Sequence, residues 1–125
     1  MTGRGHKDVF AEDIVWTGVG EGVCYAQFLL DEGEASSPSV VLARFVAAER
    51  IDPHTHGCNY LEYIVEGSQR VGKVNFKAGD VRMVAAGTGY GPIEIGAEGC
   101  TVLIVFQDAE KSPPVLLGRG RGPAA

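Results

Sequence analysis

Apolar residues along this chain come in short runs, and no segment holds them at the 3.6-residue period of an amphipathic helix. The runs are rich in β-branched residues and cut by glycine, proline and small polar residues, the mark of strands joined by turns. The pattern predicts strands over residues 14–17, 22–30, 40–46, 60–66, 71–76, 81–84, 93–95 and 101–106. A polar connector separates the second from the third, over 31–38, and Gly67 is expected to end the strand that starts at Tyr60. Lys77-Ala78-Gly79-Asp80 and Gly96-Ala97-Glu98-Gly99 read as turns, and 85–92 as a long loop. Seven or eight short strands at this spacing make an all-β chain, an antiparallel barrel or sandwich. The run Val102-Leu103-Ile104-Val105-Phe106 does not alternate, so both of its faces are expected to be covered. In a small barrel a covered outer face calls for a partner, and a homodimer is the expectation.

Length and charge narrow the picture. A chain of 125 residues is one domain. The expected division is a flexible segment over 1–13, the barrel over 14–108 and a proline- and glycine-rich tail over 109–125. The 45% hydrophobic content argues against disorder, and no apolar run approaches the roughly 20 residues needed to cross a bilayer, so no membrane partner is expected. The stretch from Met1 to Asp8 has no apolar core of a secretory signal, which makes the cytoplasm the expected location. The net charge of −5 repels phosphate, so nucleic acid is not an expected partner. The basic residues Arg119 and Arg121 sit in the tail and do not alter that. Cys24, Cys58 and Cys100 are odd in number and irregularly spaced, neither a disulfide framework nor a paired zinc motif. Cys24 and Cys100 read as small core residues. Cys58, two residues beyond His56, is a candidate for a ligand or redox role.

The chemistry centres on His54-Thr55-His56, behind Pro53. Two side chains at i and i+2 on extended backbone project to one face, and neutral imidazole is the commonest protein ligand for a divalent metal. The third histidine, His6, lies in the N-terminal segment. Further ligands must therefore come from carboxylates, tyrosines, cysteines or water.

Two stretches resemble the cupin family. Its first motif runs Gly, five residues, His-x-His, three or four residues, Glu, six residues, Gly. His54, His56 and Gly67 fall in place, Tyr60 stands at the Glu position and Ala48 at the opening Gly. Its second motif runs Gly, five residues, Pro-x-Gly, two residues, His, three residues, Asn. Gly79 and Gly87 match, while Ala85 replaces the Pro, Tyr90 the metal-binding His and Glu94 the Asn. The resemblance covers residues 40–106 and implies a cupin-like antiparallel β-barrel, or jelly roll, of one domain. It places tyrosine at two of the family's four ligand positions.

If Tyr60 points inward, as the Glu of the motif does, Glu62 does too, and Leu61, Tyr63 and Val65 face outward. An unpaired carboxylate inside an apolar barrel is costly. A metal or a cation would relieve it, and Arg44 is the cationic candidate. The metal set is then His54, His56 and Glu62, for iron, zinc, manganese or nickel. Tyr90, Tyr60 and Glu62 are the candidate catalytic residues, because a phenol is a proton donor to a developing oxyanion at neutral pH. The resemblance implies a small-molecule enzyme, expected to be metal-dependent and to act on a carbonyl- or phenol-containing substrate, of the dioxygenase, isomerase, lyase or polyketide-cyclase type. Two alternatives stand beside it: a non-catalytic module that senses a small ligand or a metal, and a metal-free acid/base cyclase or isomerase.

Overall fold

The computed structural model describes residues 5–20 and 22–117. Ten strands follow in chain order: β1 Thr17–Gly18, β2 Val23–Leu29, β3 Ser39–Phe45, β4 Arg50–Ile51, β5 His54–His56, β6 Tyr60–Val71, β7 Val74–Lys77, β8 Val81–Val84, β9 Ile93–Phe106 and β10 Pro114–Leu116. Two short 3-10 turns, Ala11–Asp13 and Ala109–Lys111, are the helical pieces among these residues. The main sheet runs β1-β2-β3-β9-β6-β7, with β4 on β9 and β8 on β6, and β5 pairs with β10 in a second, two-stranded sheet. Every pairing is antiparallel. No helix among the described residues is long and apolar enough to cross a membrane.

Two expected boundaries move, for one reason. Gly67 does not end its strand. With φ at 79° it forms an irregular step, and β6 runs on to Val71. The β6–β9 register shifts between Ile64 and Glu66 and again between Gly67 and Gln69. The turn expected at Gly96-Ala97-Glu98-Gly99 is drawn into the same irregularity, so two expected strands merge into the 14-residue β9. A bulge lets one strand bend around a barrel without losing its neighbour. Glycine is required there: a Cβ on Gly67 would collide with the carbonyl oxygen of Gly99. The strand expected over 71–76 is instead a hairpin, with β6 ending at Val71 and β7 starting at Val74.

A further shift concerns the tail. Residues 109–117 are part of the fold, because β10 pairs with β5 and the Leu117 N–H donates to the Pro53 carbonyl at 3.0 Å. Residues 118–125, with Arg119 and Arg121, lie outside the described residues. In the N-terminal segment Lys7 forms an ion pair with Glu32 at 2.6 Å.

The interior has two halves. One is aliphatic, with Ile64 and Val102 essentially inaccessible to solvent and Ala43, Val71, Ile93, Ile95 and Cys100 around them. The other holds Cys58, Tyr60 and Phe106 beside the two histidines. Val41, Tyr90 and Ile104 touch both. Burial thus sets the two histidines against the aromatic cluster, while buried Gln69 meets the aliphatic one at Cys100.

Ala48 stands where the resemblance expects glycine, and its φ of 67° is the one positive value at a non-glycine residue among the described ones. A left-handed alanine costs about 1–2 kcal/mol, less the entropy that glycine loses on folding. Ala48→Gly should therefore stabilise the fold by about 0.5–1 kcal/mol in urea denaturation, while Gly67→Ala should destabilise it by more than that. An Ala48→Gly protein weaker than the wild type would contradict the strain assigned to this turn.

Candidate functional site

Strand β5 presents both histidines inward, with Thr55 between them half-buried. The strand is held on two sides. Toward the 85–92 loop, His54 and Tyr90 exchange backbone hydrogen bonds at 3.1 and 3.2 Å, and the Gly87 N–H donates to the His56 carbonyl at 2.9 Å. On its other side lies β10. The loop expected over 85–92 therefore delivers Tyr90 directly onto His54.

Each imidazole is oriented by a backbone carbonyl. His54 Nδ1 lies 2.9 Å from the Asp52 carbonyl oxygen, and His56 Nδ1 lies 2.6 Å from that of Ser112. A carbonyl only accepts, so Nδ1 carries the proton in both rings and Nε2 is left with its lone pair. On His54 that lone pair meets the Tyr90 hydroxyl at 2.9 Å. The two imidazole centroids are 5.0 Å apart, and the His56 ring packs edge-on against Tyr60 at 4.9 Å. Burial draws the pKa of His56 below its usual value, against the pull of the Ser112 carbonyl and helped by the nearby Arg82 cation. Neutral His56 is thus a base with an unblocked Nε2.

Strand alternation holds on β6. Tyr60, Glu62 and Ile64 are buried inside, Leu61 is half-buried, and Tyr63 and Val65 are exposed. The Tyr60 hydroxyl is enclosed beside Tyr90 and has no partner in hydrogen-bond geometry. Burial first, and the neighbouring Tyr90 phenol next, push its pKa far above the usual phenol value. Tyr90 is also raised by burial, although its contacts with Tyr60 and Arg82 oppose the shift. Both phenols therefore remain proton donors across the physiological range.

Glu62 is where the structure departs most from the sequence reading. Its Oε1 accepts from Arg82 Nη2 at 2.6 Å, from Arg82 Nε at 3.1 Å and from Gln69 Nε2 at 3.1 Å. Glu62 and Arg82 are register partners on β6 and β8, so both side chains enter the barrel from the same level. Burial disfavours the Arg82 cation, yet the charge and hydrogen bonds of Glu62 outweigh it and hold the guanidinium pKa above its ordinary value. The same guanidinium lies over the Tyr90 ring at 4.4 Å. Arg44, the expected partner of Glu62, faces outward and stacks on Trp16 at 4.0 Å.

This arrangement does not fit a resident divalent metal. The set expected from sequence was His54, His56 and Glu62, and its carboxylate is bound to a guanidinium. One of the two remaining nitrogens is bonded to a phenol, and a fixed cation sits in the same enclosure, where a second cation is repelled. Among the described residues no group of three or more His, Cys, Asp or Glu side chains comes together as a metal shell. Cys58 does not join the site, because its Sγ points to the Asp108 carbonyl at 3.5 Å. Burial pushes the Cys100 thiol up to about 11, away from reactivity. Glu94 lies exposed on β9, paired in register with Arg50 and Arg70. A cavity of about 920 Å³ opens elsewhere, beside Cys24, Arg44 and Glu98. Arg44 and Cys100 line it, but His54, His56, Tyr60, Glu62, Arg82 and Tyr90 do not, so we place the site on those enclosed side chains rather than there.

Sequence reasoning missed Arg82 and the carbonyls of Asp52 and Ser112. Arg82 had a signal. In Val81-Arg82-Met83-Val84 the exposed residues are the apolar Val81 and Met83, so the charged residue is the one that points in, the reverse of the usual pattern. The carbonyls had none, because any residue carries one.

Several solved structures share the architecture. Oxalate decarboxylase from Bacillus subtilis superposes with a TM-score of 0.70 at 21% identity, over 90% of this chain and 33% of that one. The chain thus spans about a third of that protein's length. The polyketide cyclase RemF from Streptomyces resistomycificus gives 0.76 at 18% identity, over 94% of this chain and 89% of that one. A cupin protein from Ralstonia eutropha, described as RmlC-like, gives 0.71 at 18% identity, over 90% and 72%. No protein-family model and no curated protein matches the sequence. At these identities the likeness shows the fold.

The ion pair makes a measurable demand. Arg82→Met leaves Glu62 buried without its cation and should cost about 3–5 kcal/mol, whereas Arg82→Met combined with Glu62→Leu should recover most of that loss. Guanidinium denaturation of the two variants decides it. A double variant no more stable than the single one would mean that the two side chains do not depend on each other.

Proposed function

We propose that this chain, a barrel of the cupin fold, is a small-molecule enzyme that moves protons by acid/base catalysis on an enolisable carbonyl or phenolic substrate, in a reaction of the isomerase or cyclase kind. The observation that carries this reading is the Arg82–Glu62 pair, which places an organic cation where the sequence expectation had a metal. His56 Nε2 is the base. His54 is already engaged, because its Nε2 takes the Tyr90 hydroxyl. A substrate C–H proton passes to His56 Nε2 as the electron pair moves into an enolate. The enolate oxygen then accepts from the unpaired Tyr60 O–H, with the Arg82 charge close by to stabilise it. The Tyr90–His54 pair is the second proton carrier, for the oxygen or for a leaving hydroxyl. Glu62 positions Arg82 and does not react. Aromatic walls from Tyr60, Tyr90 and Phe106 favour a flat, oxygen-rich substrate. RemF, a cyclase by its description, is consistent with that class.

Deuterium uptake tests this without a known substrate. A panel of aromatic ketones and phenols is incubated with the protein in D₂O and followed by NMR for exchange next to the carbonyl. Exchange should survive chelator and fall about 10²-fold or more in His56→Gln and in Tyr60→Phe. Because the His56 pKa is lowered, its neutral, active form persists below the usual imidazole value. The acid limb of the rate should therefore lie below about pH 6.5, with loss of activity as pH falls further. Exchange that stops on chelation, or that is equal in all variants, would sink the reading.

The second proposal concerns assembly. On the outer face of the sheet Leu61 lies between Met83 and Val105, and Tyr63 between Val81 and Leu103. Met83 is 78% exposed, and none of these six is charged. A second copy suits such a face. It brings an equal apolar surface and no like charge to bury, which matters for a chain of net charge −5. Sedimentation should give a dimer, and Tyr63→Glu with Met83→Glu a folded monomer. A monomeric wild type would overturn it.

A further inference from the structure

The two histidines are oriented from very different places. Asp52, which holds His54, is two residues away on the same stretch of chain. Ser112, which holds His56, is 56 residues away. Between β9 and Ser112 the chain makes one 3-10 turn, opened by Asp108, whose side chain accepts from the Glu110 N–H at 2.9 Å. The turn is tied to the site where the Gly57 N–H donates to the Lys111 carbonyl at 3.0 Å. Strand β10 then lies along β5, Pro114 opposite His56 and Leu116 opposite His54. Leu117 closes the segment with its bond to Pro53, and its side chain packs so tightly over Gly89 that a Cβ there would collide with it.

This segment is weakly held for something so close to buried chemistry. All three residues of β10 are exposed, Val115 and Leu116 by more than half. Little apolar area opposes its detachment, and such elements open at far lower free energy than a barrel core. The Tyr60 hydroxyl is also shut off from solvent in this arrangement, so a ligand needs something to move.

We propose that residues 109–117 form a releasable strap, which sets the tautomer of His56 through the Ser112 carbonyl and admits ligand to the enclosed phenols when it lifts. With the strap down, Nδ1 holds the proton and Nε2 faces the interior as a base. With the strap lifted, nothing holds the proton on Nδ1, and the ring takes up the Nε2–H form, which is no base toward the barrel. His54 is untouched, because Asp52 does not belong to the strap. Ser112 is thus a positioning residue acting through its backbone. The consequence for catalysis rests on the acid/base reading above, but the tautomer does not.

The test is made on the full chain with ¹⁵N-labelled histidine, at mildly alkaline pH, where the rings are neutral. Two-bond ¹⁵N–¹H spectra should show both buried rings as Nδ1–H. Val115→Pro with Leu117→Pro removes the Leu117 donor and disfavours β10. His56 should then gain the Nε2–H form while His54 keeps Nδ1–H. In the wild type, the Leu117 and Gly57 amides should exchange with D₂O at least about 10²-fold faster than those of Ile64 and Gly79, which bond within the barrel at 3.0 and 2.8 Å. Exchange of Leu117 as slow as that of Ile64, or a His56 ring that stays wholly Nδ1–H with β10 detached, would overturn the strap. The exchange measurement decides even if the double variant does not fold. A tautomer that responds as expected in a protein without proton-exchange activity would uphold the strap and count against the acid/base reading instead.

Discussion

The buried ion pair between Glu62 and Arg82 is the constraint around which the barrel interior is arranged. Neither charge is tolerable alone in that position, since an uncompensated ion in a protein interior costs several kcal/mol. Their register on adjacent strands brings them together without distorting either strand. Gln69 supplies a further donor to the same carboxylate oxygen, and the Tyr90 ring lies under the guanidinium. Together these contacts fix Arg82 in front of the two phenols. The pair is formally neutral, so the site presents a directed cation without raising the net charge of the interior. That suits a neutral substrate that becomes an oxyanion during reaction.

The histidine pair is organised by a different principle. Both rings are held through Nδ1 by carbonyl oxygens, which fixes their tautomer without using another side chain. Their environments then divide them. His54 accepts from the Tyr90 hydroxyl, whereas His56 faces Tyr60 and Phe106 and carries the lowered pKa that burial imposes. Two identical residue types, two positions apart, thus acquire separate duties from what surrounds them.

Much of this was legible in the sequence. The all-β barrel follows from apolar runs of strand length punctuated by glycine. The inward direction of His54, His56, Tyr60 and Glu62 follows from alternation, which is a property of the backbone and indifferent to what the barrel binds. What stayed hidden depended on contacts distant in sequence. Arg44 and Arg82 are both candidates for the partner of Glu62, and the choice between them is one of strand order, which local pattern does not encode. Gly67 and the 96–99 stretch looked like strand ends because glycine both terminates and bends strands, and only their meeting across β6 and β9 selects bending. The role of residues 109–117 rests on backbone groups, to which composition is blind. Pro113 and Pro114 within that stretch, and the glycines that follow it, give it the composition of a tail.

The interior described here places a guanidinium where a divalent ion would otherwise balance Glu62, and the metal content of the protein bears on that most directly. The protein is purified without an affinity tag, analysed for iron, zinc, manganese and nickel, and melted with and without chelator. The ion-pair account predicts each metal well below one per chain and a melting temperature that chelator does not change. One metal per chain, released by chelator with a lower melting temperature and lost in Glu62→Gln, would contradict it.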